Sequence, residues 1–198
     1  MPEDTGIDVP AADELTGEQK RQNVIRLAFG GSEERYRSFV DEIRESIPPG
    51  TGVVLRGSAV TGVRWKDQAR FDAEGHGTSD LDLTLVGDDV IGLYKMTGFF
   101  VPGIHSRPLS DEDPDIAPDL VPLRERLMKI VGRPVNIQAT RDFVMYLRGE
   151  LMGQPYLVLI DRERTEQPAS PSFDIAQDGP EPVEGPERAS AKAGSESE

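Results

Sequence analysis

Apolar residues recur along this chain at two spacings, and the change from one to the other divides it into elements. Glu18–Phe29 carries Val24, Leu27 and Ala28 on one side of a helical projection, and Gly30-Gly31 breaks the pattern. Ser32 is placed to cap a second helix. Glu33 and Glu34 follow in its first turn, where carboxylates are favoured, and Phe39, Val40, Ile43 and Ile47 form its apolar stripe. Pro48-Pro49-Gly50 stops that helix. The spacing then shortens. Thr51–Arg56 contains Val53-Val54-Leu55, a short buried strand, and Leu81–Val86 reads as a second strand. Helical spacing returns at Leu120–Val131, with Leu123, Leu127 and Ile130 in line and Gly132 at the end. Pro134–Ala139 predicts a third strand. Thr140 is expected to cap a helix through about Leu151 carrying Phe143, Val144 and Leu147. Tyr156–Ile160 reads as a last, edge strand. Helices mixed with short strands predict an α+β (mixed α/β) domain, a small mixed sheet flanked by helices.

Composition marks where that domain ends. Of 198 residues, 36% are hydrophobic and 29% charged, so a modest core is expected beside polar segments outside it. Arg162–Glu198 is rich in Pro, Glu, Ser, Ala and Gly with one aromatic, Phe173, and cannot bury enough apolar surface to offset its ordering entropy. Three segments follow: a disordered stretch over 1–17, a folded domain over 18–161, and a disordered acidic tail over 162–198.

The net charge of −14 sits mostly in the ends. Residues 1–19 hold six acids and no base, 162–198 hold nine acids and four bases, and 20–161 carry only −3. A nearly neutral domain lacks the basic stripe of a general duplex-DNA binder. With no cysteine, disulfides and thiolate metal sites are excluded. The acidic start has no signal-peptide pattern, and no apolar run approaches the roughly 18 residues of a membrane span. A soluble, cytoplasmic protein is the expectation.

Chemistry concentrates in two places. In Ser79-Asp80-Leu81-Asp82-Leu83-Thr84-Leu85-Val86 the alternation is strict: the leucines share one face, and Asp80, Asp82 and Thr84 the other. The two carboxylates are then roughly 7 Å apart at their backbones. Like charges so close oppose each other's ionisation, and a divalent cation removes that cost. Mg²⁺ takes oxygen ligands, commonly one or two carboxylates completed by substrate phosphates and water. The simpler account is a half-buried strand with a solvated polar face, but Asp is depleted in strands. In Val53-Val54-Leu55-Arg56-Gly57-Ser58-Ala59 a strand runs into a Gly-Ser turn and a segment with helix potential. There the backbone N–H groups and the Ser58 hydroxyl can donate to phosphate. Alone, that turn is an ordinary strand-to-helix connection. Ser58 lacks the G-x-S-x-G frame of an acyl-transfer nucleophile.

Together, Leu55-Arg56-Gly57-Ser58 followed by Ser79-Asp80-Leu81-Asp82-Leu83 resembles the DNA polymerase beta-type nucleotidyltransferase superfamily, in its minimal form. The resemblance covers about residues 51–87 and extends to about 139 if Pro134–Ala139 is the family's third strand. It implies a nucleotidyltransferase-like mixed sheet. Gly57 and Ser58 would hold the β- and γ-phosphates of a nucleoside triphosphate, with Ser79 and Asn136 beside the substrate. Asp80 and Asp82 would be the catalytic ligands of Mg²⁺ or Mn²⁺. The implied reaction transfers a nucleotidyl group, AMP being the expected one, to a protein, small-molecule or RNA hydroxyl, with expulsion of pyrophosphate. Minimal members often act with a partner chain, and whether one exists here stays open.

Two departures qualify the match. The 21 residues Ala59–Ser79 form a longer connection than the family's. Its part Val63–Thr78, with Arg64, Trp65, Lys66, Arg70 and His76, is either a flap whose cations reach the triphosphate or, as we favour for any one residue, a surface insertion. The family's third carboxylate, on the later strand, falls at Asn136, a weak Mg²⁺ ligand and no base. Another acid could serve, Asp88 or Asp89 after the metal strand, or Asp111, Glu112, Asp113 or Asp115 in a loop that reads first as a solvated turn. Otherwise the site binds nucleotide with little turnover. That non-catalytic nucleotide- and metal-binding module is the alternative, and a glycosyltransferase using Asp-x-Asp on a nucleotide-sugar is the third. His76 and His105 lie 29 residues apart without metal spacing, and Gly98–Gly103 reads as a packed loop before a base-stacking platform.

Overall fold

The structure is a computed structural model, and it describes residues 15–144, 146 and 153–162. Helix α1, Gly17–Ala28, opens on a capping box: Thr16 accepts the Gln19 N–H, and Gln19 reaches back to the Thr16 N–H. Gly30 and Gly31, both at positive φ, turn the chain into α2, Glu33–Ser46. Ser32 caps α2 by accepting the Arg35 N–H, as its sequence position predicts. Phe29 in this turn meets Tyr36 and Phe39 edge-on, at 5.6 and 5.2 Å between ring centroids.

The strands are β1 (Gly52–Arg56), β2 (Leu81–Val86), β3 (Phe99–Val101), β4 (His105–Ser106), β5 (Val135–Thr140) and β6 (Tyr156–Ile160). They form one mixed sheet in the order β3-β4-β5-β2-β1-β6, with β2 and β5 parallel and all other neighbours antiparallel. The short helices α3 (Ser58–Thr61) and α4 (Asp88–Ile91) follow β1 and β2, and α5 (Val121–Val131) leads into β5 through Gly132 in the left-handed conformation. The fold is α+β.

Alternation gives the sheet two unlike faces. Val53, Leu55, Leu81, Leu83, Leu85, Val135, Ile137 and Ala139 join the buried residues of α1, α2 and α5 in one core. On the opposite face stand Val54 and Arg56 of β1, Asp82 and Thr84 of β2, and Asn136 and Gln138 of β5, with Phe143, Tyr146 and Tyr156 packed around Val54. The functional candidates lie on this second face.

Two sequence expectations need correction. Thr140 caps no helix: it is the last residue of β5, hydrogen-bonded into the sheet, and its hydroxyl donates to the Asp142 carbonyl. The segment at 98–103 is no packed loop. Phe99–Val101 is a strand paired with β4, and Phe100 and Val101 are exposed. Most of the expected helix to Leu151, the segment 1–14 and the tail from 163 lie outside the described residues. Among the described residues no helix is long and apolar enough to cross a membrane.

Candidate functional site

Three adjacent strands set the site by register. Arg56 ends β1 and is paired with Asp82 of β2, and Asp82 is paired with Asn136 of β5. Arg56, Asp82 and Asn136 therefore stand in a row across the sheet. Asp80 sits just before β2 and shares the face of Asp82. The strand beginning near Pro134 thus brings Asn136 against the Asp pair, where the family resemblance expects a third carboxylate.

The Asn136 amide bridges the pair. Its Nδ2 donates to Asp80 Oδ2 at 2.6 Å and to Asp82 Oδ1 at 3.1 Å. The other Asp82 oxygen lies 3.6 Å from Arg56 Nη1. Asp80 is exposed and Asp82 half-buried. Even so, the surrounding protein withholds water from the Asp80 carboxyl and Asp82 adds a like charge; together they raise its pKa against the opposing bond from Asn136. Burial would lower the Arg56 pKa, but the Asp82 carboxylate and further partners outweigh it and the net shift is upward.

Gly57 follows Arg56 at φ 90° and ψ −167°, a region essentially limited to glycine. A Cβ there would stand 3.4 Å from Asp82 Oδ2, so the missing side chain keeps the turn open beside the carboxylate. Ser58 begins α3, and its hydroxyl makes no hydrogen bond among the described residues.

The connection Ala59–Ser79 does more than bulge from the surface. Asp72, at φ 56°, accepts the Gly77 and Ser79 N–H groups, each at 2.9 Å. Arg133, just before β5, donates through Nη1 to Asp72 Oδ1 and to the Ser79 carbonyl, both at 2.9 Å, and through Nη2 to Asp72 Oδ2 at 3.2 Å. The Ser79 hydroxyl accepts the Asp72 N–H at 2.8 Å, and the guanidinium lies 4.4 Å from the Phe71 ring centroid. Ser79, expected beside substrate, is therefore bound into a clasp that fixes the residue before Asp80. Despite partial burial, these bonds and the Arg133 charge hold the Asp72 carboxyl well below the usual carboxylate range. Of the cations a flap would supply, Arg64 pairs with Asp67 and Glu74 within the loop, as the favoured surface insertion would have it.

A buried polar network continues from Arg56. Its Nη2 lies 3.5 Å from Gln138 Oε1, and Gln138 Nε2 donates to Thr84 Oγ1 at 3.1 Å and to Tyr146 OH at 2.9 Å. Thr84 and Tyr146 share a 2.7 Å bond. Arg56, Gln138, Tyr146, Asp72 and Arg133 were not singled out from sequence, although Gln138 stands two residues from Asn136 in the same alternation.

Substitutes for a third carboxylate are not brought in. Asp88 and Asp89 begin α4, beyond the far end of β2, whose end already lies roughly 20 Å from Asp80 by strand rise. Asp88 pairs with Arg141, Asp111 with Arg124 and Asp113 with Arg107. Among the described residues no group of three or more His, Cys, Asp or Glu could surround a metal. The donor set at Asp80 and Asp82 is two carboxylates with an amide between them. That suits Mg²⁺ shared with a triphosphate, which needs only one or two protein carboxylates, and it does not suit an all-protein cage. No protein-family model, no curated protein and no solved structure matches this chain.

Proposed function

We propose that this chain binds a nucleoside triphosphate with Mg²⁺ and transfers its nucleotidyl group, AMP, to a hydroxyl acceptor. The observation that carries this reading is the pairing of β5 parallel to β2, which sets Asn136, Asp82 and Asp80 together beside the open Gly57-Ser58 turn. Gly57 leaves room for a phosphate against the backbone, and Ser58 offers an uncommitted hydroxyl. Asp80 and Asp82 hold the cation and the Arg133–Asp72 clasp keeps Asp80 in place. A bound cation would neutralise charge on the attacking and leaving oxygens. The acceptor oxygen bonds to the α-phosphorus, the bond to the bridging oxygen breaks, pyrophosphate leaves and the hydroxyl proton passes to solvent.

A second reading is favoured by one observation: Asn136 is a neutral donor where a carboxylate would activate the acceptor. It makes the chain a nucleotide-binding module with little turnover. Transfer from α-³²P nucleoside triphosphates separates the two. Label incorporation or pyrophosphate release that vanishes in Asp80→Ala/Asp82→Ala supports transfer. Metal-dependent binding without release supports the module. Absence of both ends the site hypothesis, and binding of nucleotide-sugars in preference to plain triphosphates would redirect it to glycosyl transfer.

A further inference from the structure

Asn136 has one Nδ2 with two hydrogens, and both are engaged, one by each carboxylate. The orientation is set by chemistry, since an amide oxygen facing two carboxylates would add a third negative pole. The other end of the amide is uncommitted: Asn136 Oδ1 accepts no hydrogen bond among the described residues. The backbone beneath is fixed by the parallel ladder to β2, with Asn136 opposite Asp82. Only the side-chain torsions can change, and a half-turn of the amide breaks no bond other than the two to Asp80 and Asp82.

A divalent cation between those carboxylates would meet the amide hydrogens as a like pole. Rotation presents Oδ1 instead, and amide oxygens are ordinary ligands of hard cations. Resting on the reading that Asp80 and Asp82 bind such a cation, we propose that Asn136 is a cation-gated amide switch. Its NH₂ braces the two carboxylates in the metal-free site, and its Oδ1 becomes a third, neutral ligand once the cation enters. The corollary is stoichiometric: two carboxylates, one of them already facing Arg56, and a neutral oxygen leave charge for no more than one divalent ion, so the chain alone binds at most one.

The test uses the full ¹⁵N-labelled chain, with the Asn136 side-chain amide signals identified by their loss in Asn136→Asp. Titration with Mg²⁺ is expected to move those signals away from their carboxylate-bonded position and to speed their exchange with water. Binding should saturate at one ion per chain. Asn136→Ala should weaken Mg²⁺ binding about tenfold, the scale for loss of one supporting group at a metal site. Asn136→Asp should tighten it about tenfold or more, as ligand charge rises. Thermal melts of each metal-free variant check folding. Unmoved amide signals at Mg²⁺ saturation, or an Asn136→Ala chain that binds as tightly as the native one, would overturn the switch while leaving the cation site standing. If neither the native chain nor Asn136→Asp binds Mg²⁺, with or without a nucleoside triphosphate present, the cation site itself is wrong, and the switch with it.

Discussion

Asp72→Asn is the sharpest perturbation of the clasp, because it changes charge and hydrogen bonding at almost constant size and shape. Asn tolerates the positive φ of position 72 as well as Asp does, so backbone strain is unchanged. The native carboxylate accepts four bonds, two from backbone N–H groups and two from Arg133. An amide keeps one accepting oxygen and must turn its NH₂ toward donors. Two of the four bonds are lost, and the Arg133 side chain, 3% exposed, loses its counter-charge. Arg133 Nε is already buried without a partner among the described residues. Breaking a buried pair from one side costs about 3–5 kcal/mol. Asp72 retains some solvent contact, so we expect about 3 kcal/mol, or a Tm lower by about 6–12 °C for a chain of this size. The pH dependence follows from the sign of the shift. The folded pKa of Asp72 lies below its unfolded value, so its contribution is complete above the unfolded pKa and fades as pH falls through the folded one. With an unfolded carboxyl near 3.9, about 1 kcal/mol of the difference between native and variant should be gone by pH 3. Urea unfolding of both chains at pH 7 and pH 3 measures this. A loss under about 1 kcal/mol at pH 7, or one equal at both pH values, would refute the clasp as an electrostatic device.

Gly57→Ala places a side chain at φ 90° and 3.4 Å from Asp82 Oδ2, and should cost about 1–3 kcal/mol in urea unfolding while weakening triphosphate binding in calorimetry. Asp80→Asn should behave oppositely in its two readouts: Mg²⁺ affinity falls at least about tenfold, yet the metal-free Tm holds or rises because a like charge beside Asp82 is gone. A lower metal-free Tm would count against repulsion in the pair. Tyr146→Phe removes the hydroxyl shared by Thr84 and Gln138 and should cost about 1–2 kcal/mol by thermal melt, with Mg²⁺ affinity at Asp80 and Asp82 changed less than threefold.

What the sequence makes legible is whatever depends on near neighbours. Leu81–Val86 is visible because alternation is local, and its boundaries match β2. Ser32 and Gly132 are visible because helix ends need a particular cap or a particular φ within a residue or two. The position of Asn136 could be anticipated only through the resemblance, since its meeting with Asp82 spans 54 residues and rests on parallel pairing. The clasp was hidden for the same reason: Asp72 and Arg133 are 61 residues apart, and each by itself is an ordinary surface charge in a loop or before a strand. Thr140 misled because Thr before a polar-apolar run fits both a cap and a strand end. Phe99–Val101 misled because three residues are too few to show a period, and their pairing with His105–Ser106 decides the structure.

The unlike faces of the sheet bear on why the site is where it is. A sheet covered only to stabilise it would carry aliphatics on both faces of its central strands. Here β2 and β5, the inner parallel pair, carry Asp82, Thr84, Asn136 and Gln138 on one face, and each is held by hydrogen bonds within that face. The bonds satisfy donors and acceptors, yet they leave the charges unbalanced: among the described residues, Asp80 and Asp82 face one cation, Arg56, at 3.6 Å from one of them. Arg56 Nε, buried and unpartnered among the described residues, adds a further cost. Stability alone would favour Asn at position 80, which removes the like charge beside Asp82. A fold that retains the repulsive pair beside an open glycine turn, and uses a second pair, Asp72 and Arg133, to hold one of its members in position, supports the proposed cation site, because a bound divalent cation would offset that repulsion.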